Sequence, residues 1–390
     1  MSRRAGFGLA LVLLLVAGGA LWWRTFAPVA PAFGECQPSP LYTTRIAPVL
    51  GANGMYRPPC SAFRFQSAEF DREVHLNSLG LHMPELSLPK PSGVYRLLVI
   101  GDSFPQALQV APEQAFPQLT AALLTAQSGR SLEVVNLSMD AFGTDRELLL
   151  YALAGASLQP DAVLLTVYVG NDVQDNSVDL EARRYGYPLQ RPFFSLSAAG
   201  VLRLHTDSAA AYQGSGAFPV FPAPTVDPPD HPAVLSREPY QLEYPVELGL
   251  YLPEDRQWTV AWALTEALLL RFREQTAQAG LLFAVLLIPD RRAVHDGDWS
   301  ATLAQYAPLL PALHSADPAA PARRLQTFLE GQGIPVLNLT GALSARARSR
   351  PDERLYFAQD GHFTPEGHRA AAERLSSWLL ACCLFGASGG

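Results

Sequence analysis

The chain has 390 residues, 48% hydrophobic and 17% charged, which is enough apolar material for one large or two ordinary domains. The net charge is -7 and no Lys/Arg run occurs, which argues against nucleic acid as a partner. Cys36, Cys60, Cys382 and Cys383 lack metal-ligand spacing with histidines.

At the N-terminus, Arg3 and Arg4 precede an uncharged apolar run, Ala5 to Trp23, closed by Arg24. The run is near the minimum for a bilayer-spanning helix and longer than most signal-peptide cores. Residues 1–26 therefore read as an N-terminal membrane helix, a signal anchor; Ala30-Pro31-Ala32 keeps a cleaved signal peptide as the alternative. The paired arginines favour a cytoplasmic N-terminus, although Arg24 counts against it. The expected location is the cell membrane, single-pass, with an extracytoplasmic catalytic domain, or a secreted or periplasmic form after cleavage. In an oxidising compartment Cys36 and Cys60 are candidates for a disulfide, and Cys382 and Cys383 for core residues of the last helix. Residues 27–92 read as a linker and wrapping segment, with a short strand and turn at Val74–Gly80.

Regular alternation then begins. Apolar runs predict strands at Tyr95–Ile100, Leu132–Leu137, Ala162–Val169, Leu281–Ile288 and Ile334–Leu339. Helical spacing predicts helices at Glu113–Gln127, Thr144–Leu158, Gln257–Gly280 and Pro321–Gly333, and from Thr364 to about Leu384. Thr144 and Glu147 have capping-box spacing, and Thr364-Pro365 is a helix start. Residues 173–255 show little periodicity and read as a long irregular insertion or lid. The alternation implies an α/β fold: a three-layer α/β/α doubly wound parallel sheet, with residues 93–385 as its domain.

Such sheets bind ligands at the carboxyl ends of their strands. Those loops carry Gly101-Asp102-Ser103, the Asn136–Thr144 segment, Gly170-Asn171-Asp172 and Asp360-Gly361-His362. A serine needs a base to act as a nucleophile at neutral pH, and His362 is the candidate. Asp360 is the candidate to orient it and stabilise the imidazolium. An oxyanion needs preorganised donors: the Asn171 amide, the Ser103 N–H, and a backbone N–H after the second strand. His368 reads as a surface or capping residue; Asp102 and Asp172 read as fixing their own turns, and Trp258 and Trp262 as core.

These four ordered blocks resemble the SGNH hydrolases, the GDSL-type esterase and lipase superfamily, over residues 93–172 and 255–382. Asn77-Ser78-Leu79-Gly80 also resembles the segment upstream of the nucleophile in membrane-anchored bacterial members. The resemblance implies a flavodoxin-like sheet and ester hydrolysis or transfer, with no cofactor and no metal. It makes Ser103, Asp360 and His362 catalytic, and Ser103, Asn171 and either Ala141 or Gly143 the oxyanion hole. Two departures stand out. Ala141 occupies the place of the usual oxyanion glycine, where it can serve if its φ is negative, and Gly143 lies two residues later. One residue, Gly361, separates Asp360 from His362 where two are usual.

The expected function is serine-dependent hydrolysis of carboxylic esters outside the cytoplasm through an acyl-enzyme on Ser103. One alternative is an O-acyltransferase or deacetylase acting on cell-envelope polysaccharide. Another is a non-catalytic envelope-binding protein on an SGNH scaffold. The expected partners are a small-molecule ester or acylated glycan, and the membrane through the N-terminal helix. Acyl group, alcohol and oligomeric state are left open.

Overall fold

The computed structural model describes residues 36–47, 49, 58–185, 191–197, 199–205 and 244–382. An antiparallel hairpin, β1 (Ala62–Gln66) and β2 (Asp71–His75), precedes the sheet. The sheet is built from β3 (Tyr95–Gly101), β4 (Leu132–Ser138) and β5 (Ala162–Tyr168). A second hairpin follows, β6 (Phe193–Leu196) and β7 (Leu202–His205). The chain returns to the sheet with β8 (Leu282–Ile288) and β9 (Val336–Asn338).

The five strands run parallel in the order β4-β3-β5-β8-β9. Alternate residues face opposite cores. Leu98, Ile100, Leu137, Leu165 and Leu287 enter one, and Leu97, Val99, Val134, Leu164 and Leu286 the other. Apolar side chains on both faces exclude water only if helices cover both, which is why these strands read as continuous apolar runs. The strand order reverses at β3, so the crevice beyond the carboxyl ends of β3 and β5 is a topological switch point.

The connecting helices are α1 (Ser103–Gln106), α2 (Phe116–Ser128), α3 (Thr144–Ala154), α4 (Asp172–Asp175) and α5 (Val178–Tyr185). They continue with α6 (Arg256–Gln278), α7 (Asp296–Tyr306), α8 (Ala320–Gly331), α9 (Thr340–Ser349) and α10 (Pro365–Ala381). Trp258 and Trp262 of α6 are buried in the first core, as expected of core residues. Asp255 caps α6 by accepting the Trp258 N–H at 3.0 Å. The Thr364 hydroxyl caps α10, accepting the Gly367 N–H at 3.2 Å.

Several expectations need correction. Thr144 does not cap α3. Gly143 is the residue before the helix, no side chain caps it, and the Thr144 hydroxyl and both Glu147 carboxyl oxygens are buried without partners. The long insertion is not irregular throughout, because α4, α5, β6, β7 and the helical turns Val246–Tyr251 lie within its bounds or at its edge. Its first part is docked rather than loose. Arg191, 1% exposed, donates to Asp145 Oδ2 of α3 and to Glu181 Oε2 of α5 at 2.6 Å each, and to the Asp175 carbonyl at 2.7 Å. α7 and α9 follow β8 and β9 without having been anticipated.

Among the described residues no helix is long and apolar enough to cross a membrane. Ala5–Trp23, Cys383 and residues 206–243 of the insertion lie outside the described residues. Cys36 and Cys60 form a disulfide with a Cα–Cα distance of 5.6 Å. It ties the wrapping segment to the start of β1. Between the two cysteines a helical turn, Tyr42–Ile46, buries Tyr42 and Ile46 in the core. Gly80 (φ +71°) lies so close to the Tyr42 ring that a Cβ would fall 2.5 Å from it.

Candidate active site

β3 delivers Ser103 to the crevice. At Gly101 a Cβ would fall 1.8 Å from Thr166 Oγ1 on β5, so this strand end admits only glycine. Asp102 then leaves the strand, and its carboxylate accepts the Phe104 N–H at 3.0 Å, capping the one-turn α1. This is the turn-fixing role expected of Asp102. Ser103 is the first residue of α1, where backbone N–H groups have no partner within the helix. The turn is braced from two sides: Asn136 Nδ2 donates to the Pro105 carbonyl at 2.6 Å, and a His82 ring nitrogen meets the Gln106 carbonyl at 2.9 Å.

Asp360 and His362 lie on a tight loop between Tyr356 and Phe363, which pair as an antiparallel bridge. Phe357 N–H donates to the His362 carbonyl at 2.8 Å, and Gly361 N–H to the Phe357 carbonyl at 3.1 Å. Gly361 has φ +88°, a left-handed conformation suited to glycine. That turn brings the flanking side chains together despite the short spacing. His362 Nδ1 lies 2.7 Å from Asp360 Oδ1, and His362 Nε2 lies 2.7 Å from Ser103 Oγ. With Nδ1 protonated toward Asp360, Nε2 is free to accept the serine proton. The Phe104 ring packs against the imidazole with centroids 5.0 Å apart.

The electrostatics match this geometry. Burial opposes charge on both partners of the Asp360–His362 pair. The hydrogen bond and opposite charge outweigh it, holding Asp360 below the usual carboxylate range and His362 above the usual imidazole value.

The loop after β4 runs beside α1. Met139 N–H donates to the Gly101 carbonyl and Asp140 N–H to Gln106 Oε1, both at 3.0 Å. Ala141 has φ +57°, so the negative φ on which its suitability was conditioned is not what the chain adopts. Gly143, at φ -99°, is glycine for another reason: a Cβ there would fall 2.8 Å from Asn176 Oδ1 and 3.1 Å from backbone at Asp175 and Asn176. Gly143 is thus packed against the end of α4, whereas Ala141 occupies a half-buried turn. Asn171 follows β5 on the other side of β3, with φ -142° just ahead of α4, and its Oδ1 is buried without a partner. Asp172 Oδ2 accepts the Tyr168 N–H at 3.1 Å, the local bond expected of it.

Behind Ser103, Asp102, Glu147 and Asp172 are fully buried, and burial raises all three carboxyl groups. Among the described residues no group of acidic, histidine or cysteine side chains is arranged to hold a metal ion.

His368 is not a surface or capping residue. It is 1% exposed and rests against the Phe116 and Phe363 rings, and its Nδ1 accepts the Phe116 N–H at 3.3 Å. Burial drives its pKa down to about 3, so it stands neutral.

Two supporting residues had no sequence signal. Gln109 Nε2 donates to Asp360 Oδ1 at 3.3 Å. The Glu69 carboxylate, from the β1–β2 turn, accepts the N–H groups of Ala358, Gln359 and Asp360 at 2.7, 2.8 and 2.8 Å.

No family model matches the chain and no curated protein matches it. It is similar to several solved structures. One is a putative lipolytic protein of the G-D-S-L family from Desulfitobacterium hafniense DCB-2, with 12% identity, 73% of this chain and 99% of that chain covered, and a TM-score of 0.36. A second is a catalytic variant of the acetylxylan esterase Axe2 from Geobacillus stearothermophilus, with 15% identity, 73% and 94% covered, and a TM-score of 0.39. A third is a two-domain esterase active on acetylated mannans, with 10% identity, 74% and 49% covered, and a TM-score of 0.38.

Proposed function

We propose that this chain is an SGNH-type serine esterase that cleaves carboxylic esters through an acyl-enzyme on Ser103. The observation that carries the proposal is the position of His362, 2.7 Å from Ser103 Oγ on one side and 2.7 Å from Asp360 Oδ1 on the other. In the first step Ser103 Oγ attacks the ester carbonyl while His362 Nε2 takes its proton. Asp360 holds the imidazole and stabilises the resulting imidazolium. The Ser103 N–H, the Ala141 N–H and the Asn171 amide receive the oxyanion. We assign Ala141 rather than Gly143 although the negative φ first asked of it is absent: a left-handed φ strains the alanine but leaves its N–H in place in the turn beside α1, whereas Gly143 is packed against Asn176. His362 then protonates the departing alkoxide. Water, with His362 as base, releases the acid. The switch-point location in a doubly wound, flavodoxin-like strand order supports the same reading.

The test is turnover of p-nitrophenyl acetate by wild type and Ser103→Ala. The variant is expected to lose on the order of 10³-fold or more in kcat. Retained turnover in the folded variant refutes the proposal. Failure of a fluorophosphonate to label Ser103 favours the non-catalytic alternative. Transfer of the acyl group to an added glycan, in preference to water, assigns the acyltransferase alternative, which uses the same residues.

We place the enzyme outside the cytoplasm. The Cys36–Cys60 bond supports that address, since such bonds persist in oxidising compartments. The apolar run behind Arg3 and Arg4 supports a membrane anchor. Protease digestion of intact cells should degrade the body of the chain, and a soluble cytoplasmic pool refutes the placement.

A further inference from the structure

The wrapping segment contributes to the chemistry of the sheet edge. We infer that Glu69 is a positioning residue for the Asp360–His362 pair, holding the acid–base loop from the tip of the β1–β2 hairpin. The inference rests on the serine-esterase reading above.

The five residues between Phe357 and Phe363 form a loop with backbone N–H groups that no regular structure satisfies. Glu69 accepts three consecutive ones, from Ala358, Gln359 and Asp360. The last belongs to the residue whose carboxylate orients His362. The opposite edge of the loop is held too, since Arg291 donates to the Ala358 carbonyl. Three N–H donors on one carboxylate fix a chain segment in position and orientation, and charge makes each bond stronger than its neutral equivalent. Although burial opposes it, this set of bonds holds Glu69 below the usual carboxylate range.

The hairpin that carries Glu69 is itself anchored near both halves of the site. Its turn is closed by Ser67 N–H on the Phe70 carbonyl at 2.8 Å, and the Glu69 N–H donates to Ser67 Oγ at 3.0 Å. The Phe70 ring packs between Phe65 and Phe357, with centroids 5.2 and 5.3 Å away. On the same face of β1 as Phe65, Phe63 and its cross-strand partner Val74 pack with Leu108, which follows α1 and precedes Gln109. The hairpin therefore touches the segment after the nucleophile and the loop that carries acid and base. The disulfide pins the chain just ahead of it at Cys60.

The test compares wild type, Glu69→Gln and Glu69→Ala. Gln keeps one acceptor oxygen and Ala keeps none, so the effects should rank Ala above Gln. For Glu69→Ala, kcat on p-nitrophenyl acetate is expected to fall between about 10-fold and 10²-fold, the effect of a small misplacement of catalytic groups, with KM within about twofold. The His362 imidazole, followed by NMR titration, is expected to move down toward the ordinary histidine value as its contact with Asp360 loosens. Amide exchange at Ala358–Asp360 should accelerate while the melting transition stays cooperative. A folded Glu69→Ala with unchanged kcat, His362 titration and amide exchange overturns the inference. So does a loss of kcat with the last two unmoved. Labelling of wild-type Ser103 by a fluorophosphonate tests the esterase reading separately; if it fails, the titration and exchange measurements still judge the hold of Glu69 on the loop.

Discussion

Replacing Ala141 by glycine should stabilise the protein without altering turnover. Ala141 has φ +57°, a conformation that costs an L-residue about 1–2 kcal/mol. Glycine removes that cost but loses more chain entropy on folding, about 0.5–1 kcal/mol. The net expected gain for Ala141→Gly is about 0.5–1 kcal/mol, equivalent to a rise of roughly 1 °C in Tm for a chain of this size. The backbone N–H is retained, so ester turnover should stay within about twofold of wild type. Gly143→Ala is the internal control and has the opposite sign. Its new methyl would fall 2.8 Å from Asn176 Oδ1, whose side chain also accepts the Asp145 N–H at 2.9 Å and donates to Thr265 at 2.9 Å. That overpacking should cost about 1–3 kcal/mol. Urea unfolding and differential scanning calorimetry measure both. Destabilisation by Ala141→Gly, or tolerance of Gly143→Ala, refutes the assignment of the left-handed oxyanion turn to Ala141 and of close packing to Gly143.

Asp360→Asn should lower kcat by on the order of 10⁴-fold, since a neutral amide neither fixes the tautomer nor stabilises the imidazolium. The wild-type kcat/KM should rise with pH through the raised pKa of His362, above the usual 6.5, and the rise should move to lower pH in the variant; coincident pH profiles refute the coupling. In stability terms, His362 has its pKa raised by folding, so its contribution is present below the unfolded value and lost as pH rises through the folded one. Asp360 is lowered, so its contribution is present above the unfolded value and lost as pH falls through the folded one. Urea midpoints across pH should therefore show less loss at both ends for Asp360→Asn than for wild type. Gly101→Ala should destabilise by about 3 kcal/mol or more, because the methyl would fall 1.8 Å from Thr166 Oγ1 in the middle of the sheet; an unchanged urea midpoint refutes that packing argument.

The apolar runs carried the sheet, because a parallel strand buried on both faces must be apolar at nearly every position. All five sheet strands fall where those runs lie. The turn fixed by Asp102 and the helix start at Thr364 were equally legible, since both use local side-chain chemistry. The pairing of Ser103 with His362 was readable only as a juxtaposition of loops. What the sequence concealed depended on contacts between distant segments. Thr144 has the composition of a cap, yet the Arg146 and Glu147 N–H groups it would receive go to the Gly143 carbonyl, and Asn176 Oδ1, just after α4, takes the Asp145 N–H, so the helix starts one residue early and tertiary packing overrides the local signal. His368 looked peripheral because its position early in a helix says nothing of the Phe116 and Phe363 rings that enclose it. Glu69 and Gln109 stand in segments without periodicity, and their partners lie hundreds of residues away.

The same contacts explain why so much chain lies outside the sheet. A parallel sheet fixes the ends of its strands well, and Ser103 and Asn171 inherit that rigidity from β3 and β5. Two other parts of the site are not on strands. The acid–base loop follows α9 and is held by Glu69, Gln109 and Arg291, none of which is in the sheet. The turn at Ala141 leads into α3, whose second residue, Asp145, is paired with Arg191 from the insertion. Arg191, Glu181, Asp145 and Arg146 form a buried ionic group, which is costly to assemble and more costly to break at one partner, about 3–5 kcal/mol. That cost falls on any arrangement that pulls Arg191 or Glu181 of the insertion away from α3. On this account the wrapping segment and the first part of the insertion do for the loops what hydrogen-bonded neighbours do for the strands. The sheet alone would present Ser103, and the added segments present it with His362 and the Ala141 turn in place, the arrangement that the proposed mechanism requires.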